Sequence, residues 1–163
     1  MELFNKILSP VDLSEASQKI APLTLTVAKK FNSEIHLLFV ARKFDHFSNI
    51  YVAHMSIENF EAEIVKGAEQ GMEEFAKEHF SAYPAYKTRV VIGDPSEEIL
   101  NYVESESMDL LIIGTHGRKG IERIVFGSVA NRVIRKSPIP VLSINPYRGE
   151  ISQDMSQQRS KKR

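Results

Sequence analysis

Short apolar segments that alternate with helical patterns constrain the fold of this chain more than any other feature of its sequence. Five such segments predict β-strands: Ile7–Val11, Glu34–Val40, Tyr86–Ile92, Leu110–Ile113 and Pro140–Ile144. Two of them are apolar almost throughout, which is typical of strands covered on both faces in a parallel sheet. Because each pair of strands is separated by a helical pattern, we expect an α/β fold, an open doubly wound five-stranded parallel sheet with helices on both faces.

The first helix is predicted from an apolar stripe with spacings of three and four residues. The stripe comprises Ala16, Ile20, Leu23, Val27 and Phe31, and it should pack on the sheet. The helix should begin near Asp12 or Ser14, either of which can act as its cap. Pro22 lies inside the stripe, so we expect a kink or a short opening turn there, because proline lacks a backbone donor.

Three further helices follow. The second carries an apolar face from Ile57 to Phe75, although Gly67 and Gly71 should each cost it about 1 kcal/mol relative to alanine. The start of the third helix is predicted from Gly93-Asp94-Pro95-Ser96-Glu97, which supplies a cap, a first-turn proline and an acidic third position. This helix should end near Ser105. The fourth opens at Gly127-Ser128.

Composition limits the classes of function. The 163 residues, 42% of them hydrophobic and 26% charged, fit one domain over residues 1–147 followed by a polar, exposed tail over 148–163. Lys and Arg total 21 against 21 for Asp and Glu, so no net field attracts nucleic acid or a membrane. With no cysteine, no export signal and no apolar run of membrane-spanning length, the cytoplasm is the favoured location.

A split glycine motif is the candidate binding site. Gly114-Thr115-His116-Gly117 directly follows the fourth predicted strand, and Gly127-Ser128 opens the fourth helix. Ligands of parallel sheets collect at the carboxyl ends of strands, where glycines let backbone N–H groups approach a phosphate closely. The N-terminus of the fourth helix would add free N–H groups and a positive dipole end. The motif therefore predicts two segments that hold one polyphosphate.

Other side chains near this motif have alternative interpretations. Arg118, Lys119 and Arg123 could neutralise phosphate charge, and His116 either contacts the ligand or contributes only its backbone. The glycines alone could be turns, and Asp12 and Ser128 alone could be helix caps. The histidines show no metal-ligand spacing, so we expect no metal site made by protein side chains.

The glycine pattern resembles the nucleotide signature of the universal stress proteins, in which a glycine, two residues, a glycine, nine residues, a glycine and a serine follow one another. Ile7–Asp12, Leu37–Val40 and Asp109–Gly114 are also similar to strands of that family, so the resemblance covers roughly Asn5 to Ile144. It implies a Rossmann-like sheet in the order 3-2-1-4-5 and ATP as the ligand. It also implies a homodimer joined through strand five, at Val141, Leu142 and Ile144.

The same resemblance assigns roles to individual residues. Asp12 would meet the ribose or the adenine, and the base pocket would consist of Pro10, Val11, Val40 and Ile113. The phosphates would be held by Gly114, Thr115, His116, Gly117 and Arg118 on one side and by Gly127, Ser128 and Val129 on the other. Asn131 would face the phosphates or their magnesium.

An ATP-binding regulatory dimer in a stress response is the leading functional hypothesis, in which nucleotide occupancy acts as a switch. Catalysis is not expected, because no base is evident beyond unplaced groups such as Glu122, although slow ATP hydrolysis stays open. A dimeric scaffold independent of nucleotide is the alternative from the interaction class. An ATP-using ligase is disfavoured by the absence of its loop signatures, and a response regulator by the absence of an acidic pair at Asp12. Phe44, Phe47 and Tyr51 would either cover the adenine or pack against a neighbouring helix or subunit.

Overall fold

The computed structural model of the chain describes residues 4–43, 57–115 and 127–147. Within these ranges strands and helices alternate as β1 Lys6–Pro10, α1 Glu15–Phe31, β2 Glu34–Arg42, α2 Ile57–Phe80, β3 Tyr86–Gly93, α3 Pro95–Ser105, β4 Leu110–Gly114, α4 Ser128–Lys136 and β5 Val141–Ile144. The predicted tail and the aromatic residues Phe44, Phe47 and Tyr51 lie outside the described residues. None of the described helices is long and apolar enough to cross a membrane.

The strands form one parallel sheet in the order β3-β2-β1-β4-β5, as predicted. β1 lies at the centre, where Ile7 is level with Ile35 of β2 on one side and with Leu110 of β4 on the other. The direction of winding reverses between β1 and β4. The carboxyl ends of these two strands therefore form the switch point at which sheets of this kind bind ligands.

The core lies on both faces of the sheet, because successive strand residues point to opposite sides. Ile7 and Ile112 belong to the cluster beneath α1 and α2, whereas Leu8 and Leu111 belong to the cluster beneath α3 and α4. All four side chains are fully buried. Burial on both faces explains why the central strands are apolar at consecutive positions.

Helix α1 packs on the sheet through small side chains rather than through the whole predicted stripe. Its buried residues are Ala16, Ser17, Ile20, Ala21, Thr24 and Ala28. The prediction is thus correct for Ala16 and Ile20 and wrong for Leu23 and Phe31, which are 39% and 43% exposed. Small residues on the inner face let the helix approach the sheet closely, so the larger ones stay at its flank. There Phe31 meets Phe4 edge to face, with 5.0 Å between the ring centroids.

The short opening turn expected near Pro22 is not observed. Helix α1 begins at Glu15 and continues as one element of 17 residues through Pro22. Pro22 cannot donate to the carbonyl of Gln18, but both residues are exposed, so water can satisfy that carbonyl.

The start of α3 follows the predicted capping pattern. Asp94 is the cap, and its Oδ1 accepts hydrogen bonds from the backbone N–H of Ser96 at 3.0 Å and of Glu97 at 3.1 Å. Pro95 occupies the first helical turn, where its missing N–H costs nothing. Local sequence therefore determines this helix boundary.

Candidate functional site at the carboxyl edge of the sheet

The candidate site lies where β1 and β4 leave the sheet at the switch point. Beyond β1, the backbone N–H of Val11 donates a 2.8 Å hydrogen bond to Leu38 of β2, which keeps the chain beside the sheet as far as the loop. Beyond β4, the backbone N–H of Thr115 donates a 2.8 Å hydrogen bond to Ile144 of β5. The residues after both strands are thus fixed at the same edge of the sheet.

The two halves of the glycine motif meet through a backbone hydrogen bond. The N–H of Gly127 donates to the carbonyl oxygen of Thr115 at 2.8 Å. Thr115 is buried, and its Oγ1 donates to the carbonyl of Ile144 at 3.3 Å. The first residue of the second half is therefore attached to a residue that is itself anchored to the sheet.

The N-terminus of α4 carries backbone donors that bond to none of the residues the structure describes. The first helical hydrogen bond runs from Asn131 N–H to the carbonyl of Gly127 at 2.9 Å, and no side chain in the described ranges caps the helix. Among the described residues, the N–H groups of Ser128, Val129 and Ala130 have no acceptor. The N-terminus of α3 differs, because there the Asp94 carboxylate accepts hydrogen bonds from the first backbone N–H groups of the helix. Free N–H groups and a positive dipole end suit an anionic ligand.

The backbone conformation of Gly127 does not itself require a glycine. Its φ of −53° and ψ of 145° are accessible to any residue. A Cβ built at Gly127 would lie 3.4 Å from the carbonyl oxygen of Thr115, an ordinary contact at the close end of the range. The backbone angles of Gly127 therefore do not require glycine, and among the described residues its missing side chain leaves room beside the first N–H groups of α4.

Asp12 lies in the loop between β1 and α1 with one carboxylate oxygen occupied. Its Oδ1 accepts from Ser14 N at 3.0 Å, from Ser14 Oγ at 2.5 Å and from Ser17 Oγ at 2.7 Å. Ser14 holds the cap position of α1, but its hydroxyl does not cap the helix. Oδ2 of Asp12 makes no hydrogen bond to any described residue, and the side chain is exposed. The carboxylate is therefore oriented while one oxygen stays available.

The predicted base-pocket residues are distributed over both faces of the sheet. Val40 and Ile113 contact the same cluster, beneath α3 and α4. Val11 is 7% exposed and packs in the opposite cluster, beneath α1 and α2. Pro10 is half-buried at the end of β1, level with Leu38. The structure thus places Val40 and Ile113 on one face of the sheet and Val11 on the other.

The middle of the predicted phosphate loop, His116, Gly117 and Arg118, lies outside the described residues, as does Glu122. Asn131 is exposed on the first turn of α4. In the described part of the chain, no group of three or more His, Asp or Glu side chains could hold a metal ion.

Two residues near the site were missed by the sequence analysis. Ser17 is 7% exposed, and its Oγ both donates to Asp12 and accepts from the Asp12 N–H at 3.1 Å. Arg132 of α4 donates through Nη1 to Asp94 Oδ1 at 3.2 Å and to Ser96 Oγ at 2.8 Å. Hydrogen bonds from the Ser96 hydroxyl and the Glu97 N–H, together with the charge of Arg132, lower the pKa of Asp94. The spacing of Ser17 from Asp12 was visible in the sequence, whereas the contact of Arg132 with α3 was not.

A parallel sheet in this order with helices on both faces defines a Rossmann-like α/β protein. Comparison with known families makes the assignment specific, because residues 3–145 match the model of the Universal stress protein family. The chain belongs to the universal stress protein family.

Relatives from Methanocaldococcus jannaschii support that assignment. Universal stress protein MJ0531 is 31% identical over 151 residues, covering 91% of this chain and 86% of the relative. Universal stress protein MJ0577 is 34% identical over 158 residues, covering 87% of this chain and 95% of the relative. The solved structure of MJ0577 superimposes with a TM-score of 0.69 over 88% of this chain and 96% of its own.

A more distant solved structure shares the fold. The universal stress protein from Archaeoglobus fulgidus in complex with dAMP has a TM-score of 0.55 and 16% identity, over 88% of this chain and 99% of its own.

Proposed function

We propose that this protein binds ATP at the carboxyl edge of its sheet and acts as a nucleotide-dependent regulatory dimer in a stress response. The observation that carries the proposal is the hydrogen bond from Gly127 to Thr115, which joins both halves of the glycine motif beside free N–H groups of α4. Family membership supports it. So does the dAMP complex of the Archaeoglobus fulgidus protein, in which the same fold accepts an adenine nucleotide.

The ligand would place its polyphosphate on one side of the switch point and its sugar on the other. The N–H groups of Ser128 and Val129, with the Ser128 hydroxyl, would hold phosphate oxygens next to the open space at Gly127. Oδ2 of Asp12 would accept a hydrogen bond from a ribose hydroxyl or from the adenine amine. Val40 and Ile113 would supply apolar contact to the base. Gly114, His116, Gly117 and Arg118 would complete the phosphate site, and magnesium would enter with ATP.

Regulation would act through the segment between the two glycine halves. Nucleotide occupancy would alter the loop between Gly117 and Gly127 and thereby the surface that the protein offers to a partner. The dimer would form at the edge of the described sheet, on β5, where Leu142 is 37% exposed and Val141 and Ile144 are half-buried. The cytoplasm would be the place of action, in line with a chain that contains no cysteine.

Equilibrium dialysis of the full chain against labelled ATP, with and without magnesium, tests the binding proposal. We expect saturable binding at one site per chain, displaced by unlabelled ATP and much less by GTP, because the base pocket would select adenine. Amide hydrogen exchange should slow at Ser128 and Val129 when ATP is added. Absence of saturable binding at millimolar ATP would contradict the proposal. If ATP bound but changed neither the dimer fraction nor amide hydrogen exchange outside the site, the proposal of ATP binding would stand. The proposal that nucleotide occupancy acts as a switch would be contradicted.

A further inference from the structure

Leu13 adopts a backbone conformation that leucine rarely takes, directly after the candidate ligand residue Asp12. Its φ is 59°, in the left-handed region where a Cβ crowds the neighbouring carbonyl. The other described non-glycine residues with positive φ are Asn32, which caps the end of α1, and Ser107. A leucine in this region persists only where its surroundings hold it.

The turn at Leu13 is the one that presents Asp12. The chain reverses from β1 into α1 within a few residues, and the left-handed residue brings Ser14 and Ser17 back onto Asp12 Oδ1. The side chain of Leu13 is half-buried against the cluster beneath α1 and α2. Relaxing the backbone at Leu13 would therefore change the direction of the Asp12 carboxylate.

Helix α2 provides the surface that receives Leu13. A Cβ built at Gly71 would lie 2.9 Å from Leu13 Cδ1, closer than side-chain contacts in proteins normally come. The next residue, Met72, is 1% exposed, and Phe75 and Ala76 are also buried, so this part of α2 is anchored in the core. An added methyl group would consequently displace the Cδ1 methyl at the end of the Leu13 side chain rather than the helix, and so change how Leu13 packs on α2.

We propose that Gly71 is a positioning residue for the ligand site: its missing side chain makes room for Leu13, which keeps the loop in the turn that orients Asp12. This inference rests on the proposed binding of ATP near Asp12. It also explains a glycine in the middle of a helix, where alanine would be the more favourable residue. Because Leu13 contacts α2 directly, ligand binding at Asp12 and the position of α2 are coupled through this contact.

The test compares Gly71→Ala with Gly67→Ala on the same helix. Gly67 has nothing within 4 Å of its built Cβ, so its alanine variant should bind ATP like the wild type and be somewhat more stable. Gly71→Ala should remain folded and bind ATP roughly two- to thirtyfold more weakly. The double variant Leu13→Ala/Gly71→Ala also lacks the side chain that holds the turn, so it should not recover the wild-type affinity. Unchanged affinity in Gly71→Ala would overturn the inference.

A second readout does not depend on ATP. The hydrogen bond from Ser14 N–H to Asp12 Oδ1 reports the loop conformation directly. Hydrogen exchange of the Ser14 amide should accelerate in Gly71→Ala and stay at the wild-type rate in Gly67→Ala. Leu13→Gly, which removes the contact while permitting the same φ, should also accelerate it. If the wild type failed to bind ATP, the proposed function would fall, and the exchange rates would still decide whether Gly71 positions Asp12. Equal rates in Gly71→Ala and the wild type would refute that role.

Discussion

The backbone N–H of Gly127 and the carbonyl oxygen of Thr115 form a 2.8 Å hydrogen bond that brings the end of β4 and the start of α4 together. The bond fixes the direction of α4, because Gly127 also provides the carbonyl for the first helical hydrogen bond, from Asn131. The N–H groups of Ser128 and Val129, which bond to no described residue, consequently belong to a backbone that is attached to the sheet through Thr115. A preorganised set of donors binds an anion without first having to order the chain.

Gly127→Val should abolish saturable ATP binding while leaving the fold intact. Valine tolerates the φ and ψ of Gly127, but its side chain would fill the open space beside the N–H groups of α4. Isothermal titration with ATP measures the loss, and circular dichroism checks the fold. Gly67→Val, at an exposed glycine of α2, is the matched control and should bind ATP normally. Wild-type affinity in Gly127→Val would place the phosphates elsewhere.

The fold was predictable because its determinants are local. Consecutive apolar residues such as Leu110–Ile113 indicate a strand buried on both faces, and Asp94-Pro95 marks a helix start by its hydrogen-bonding chemistry alone. The buried face of α1 was harder to predict from the sequence. Its buried face is set by how closely the helix approaches the sheet, and a stripe through Leu23 and Phe31 has the same period as the observed one through small residues.

The candidate site was predictable only in part. Asp12 stands out because it is a carboxylate just after β1, and Gly127 because it is a glycine just before α4, both at the switch point. The fit between Leu13 and Gly71 depends on where two elements meet in space, and nothing within either segment signals it. The division of Val11 and Val40 between opposite faces likewise depends on where each strand ends relative to its neighbours.

Ser17→Ala should weaken ATP binding and lower the free energy of unfolding by about 1 kcal/mol. The variant removes the hydroxyl that donates to Asp12 Oδ1 and accepts from the Asp12 N–H, so the carboxylate loses its orientation and a backbone donor loses its partner. Urea denaturation and ATP titration measure the two effects. Thr26→Ala on the same helix removes a hydroxyl whose one partner among the described residues is the Pro22 carbonyl, and it should leave ATP affinity unchanged. Equal affinities for both variants would argue against a positioning role for Ser17.

Leu142→Arg should convert the proposed dimer into a monomer. Leu142 is 37% exposed on the edge strand β5, and a charge there could be buried at an interface only at a large cost. Sedimentation velocity on the wild type and the variant measures the change. Leu23→Arg is a close match, because Leu23 is 39% exposed but lies on α1, and it should leave the mass unchanged. A dimeric Leu142→Arg protein would exclude the edge of β5 as the interface.

Tyr102→Phe should destabilise the protein by about 1–3 kcal/mol, because it leaves a buried histidine nitrogen without its partner. His36 is 2% exposed, with Nδ1 2.9 Å from Tyr102 Oη and Nε2 2.6 Å from Glu34 Oε1. Tyr86→Phe removes a hydroxyl that bonds to no described residue, so its free energy of unfolding should stay close to that of the wild type. Urea denaturation of both variants gives the comparison, and similar losses would show that the hydroxyl of Tyr102 does not support His36.

Asp94→Asn should change how stability depends on pH more than it changes stability at pH 7. Asparagine keeps the capping acceptor, and the exposed ion pair with Arg132 contributes about 0–1 kcal/mol, so the two proteins should be similar at neutral pH. Hydrogen bonds from Ser96 and Glu97 lower the pKa of Asp94 from its ordinary 3.8 in the folded state. A lowered carboxyl pKa stabilises the fold above the ordinary value, and this contribution disappears as the pH falls through 3.8 toward the folded pKa.

The wild type should therefore lose more stability than Asp94→Asn between pH 7 and about pH 3. Urea denaturation at both pH values measures the free energy of unfolding of the wild type minus that of Asp94→Asn. This difference should become smaller in acid or change sign. Glu104→Gln removes an exposed carboxylate of the same helix that has no side-chain partner among the described residues, and its difference from the wild type should stay constant. A constant difference for Asp94→Asn as well would mean that ionisation of Asp94 does not stabilise the start of α3. The cap would then act through hydrogen-bond geometry alone, since asparagine supplies the same acceptor without the charge.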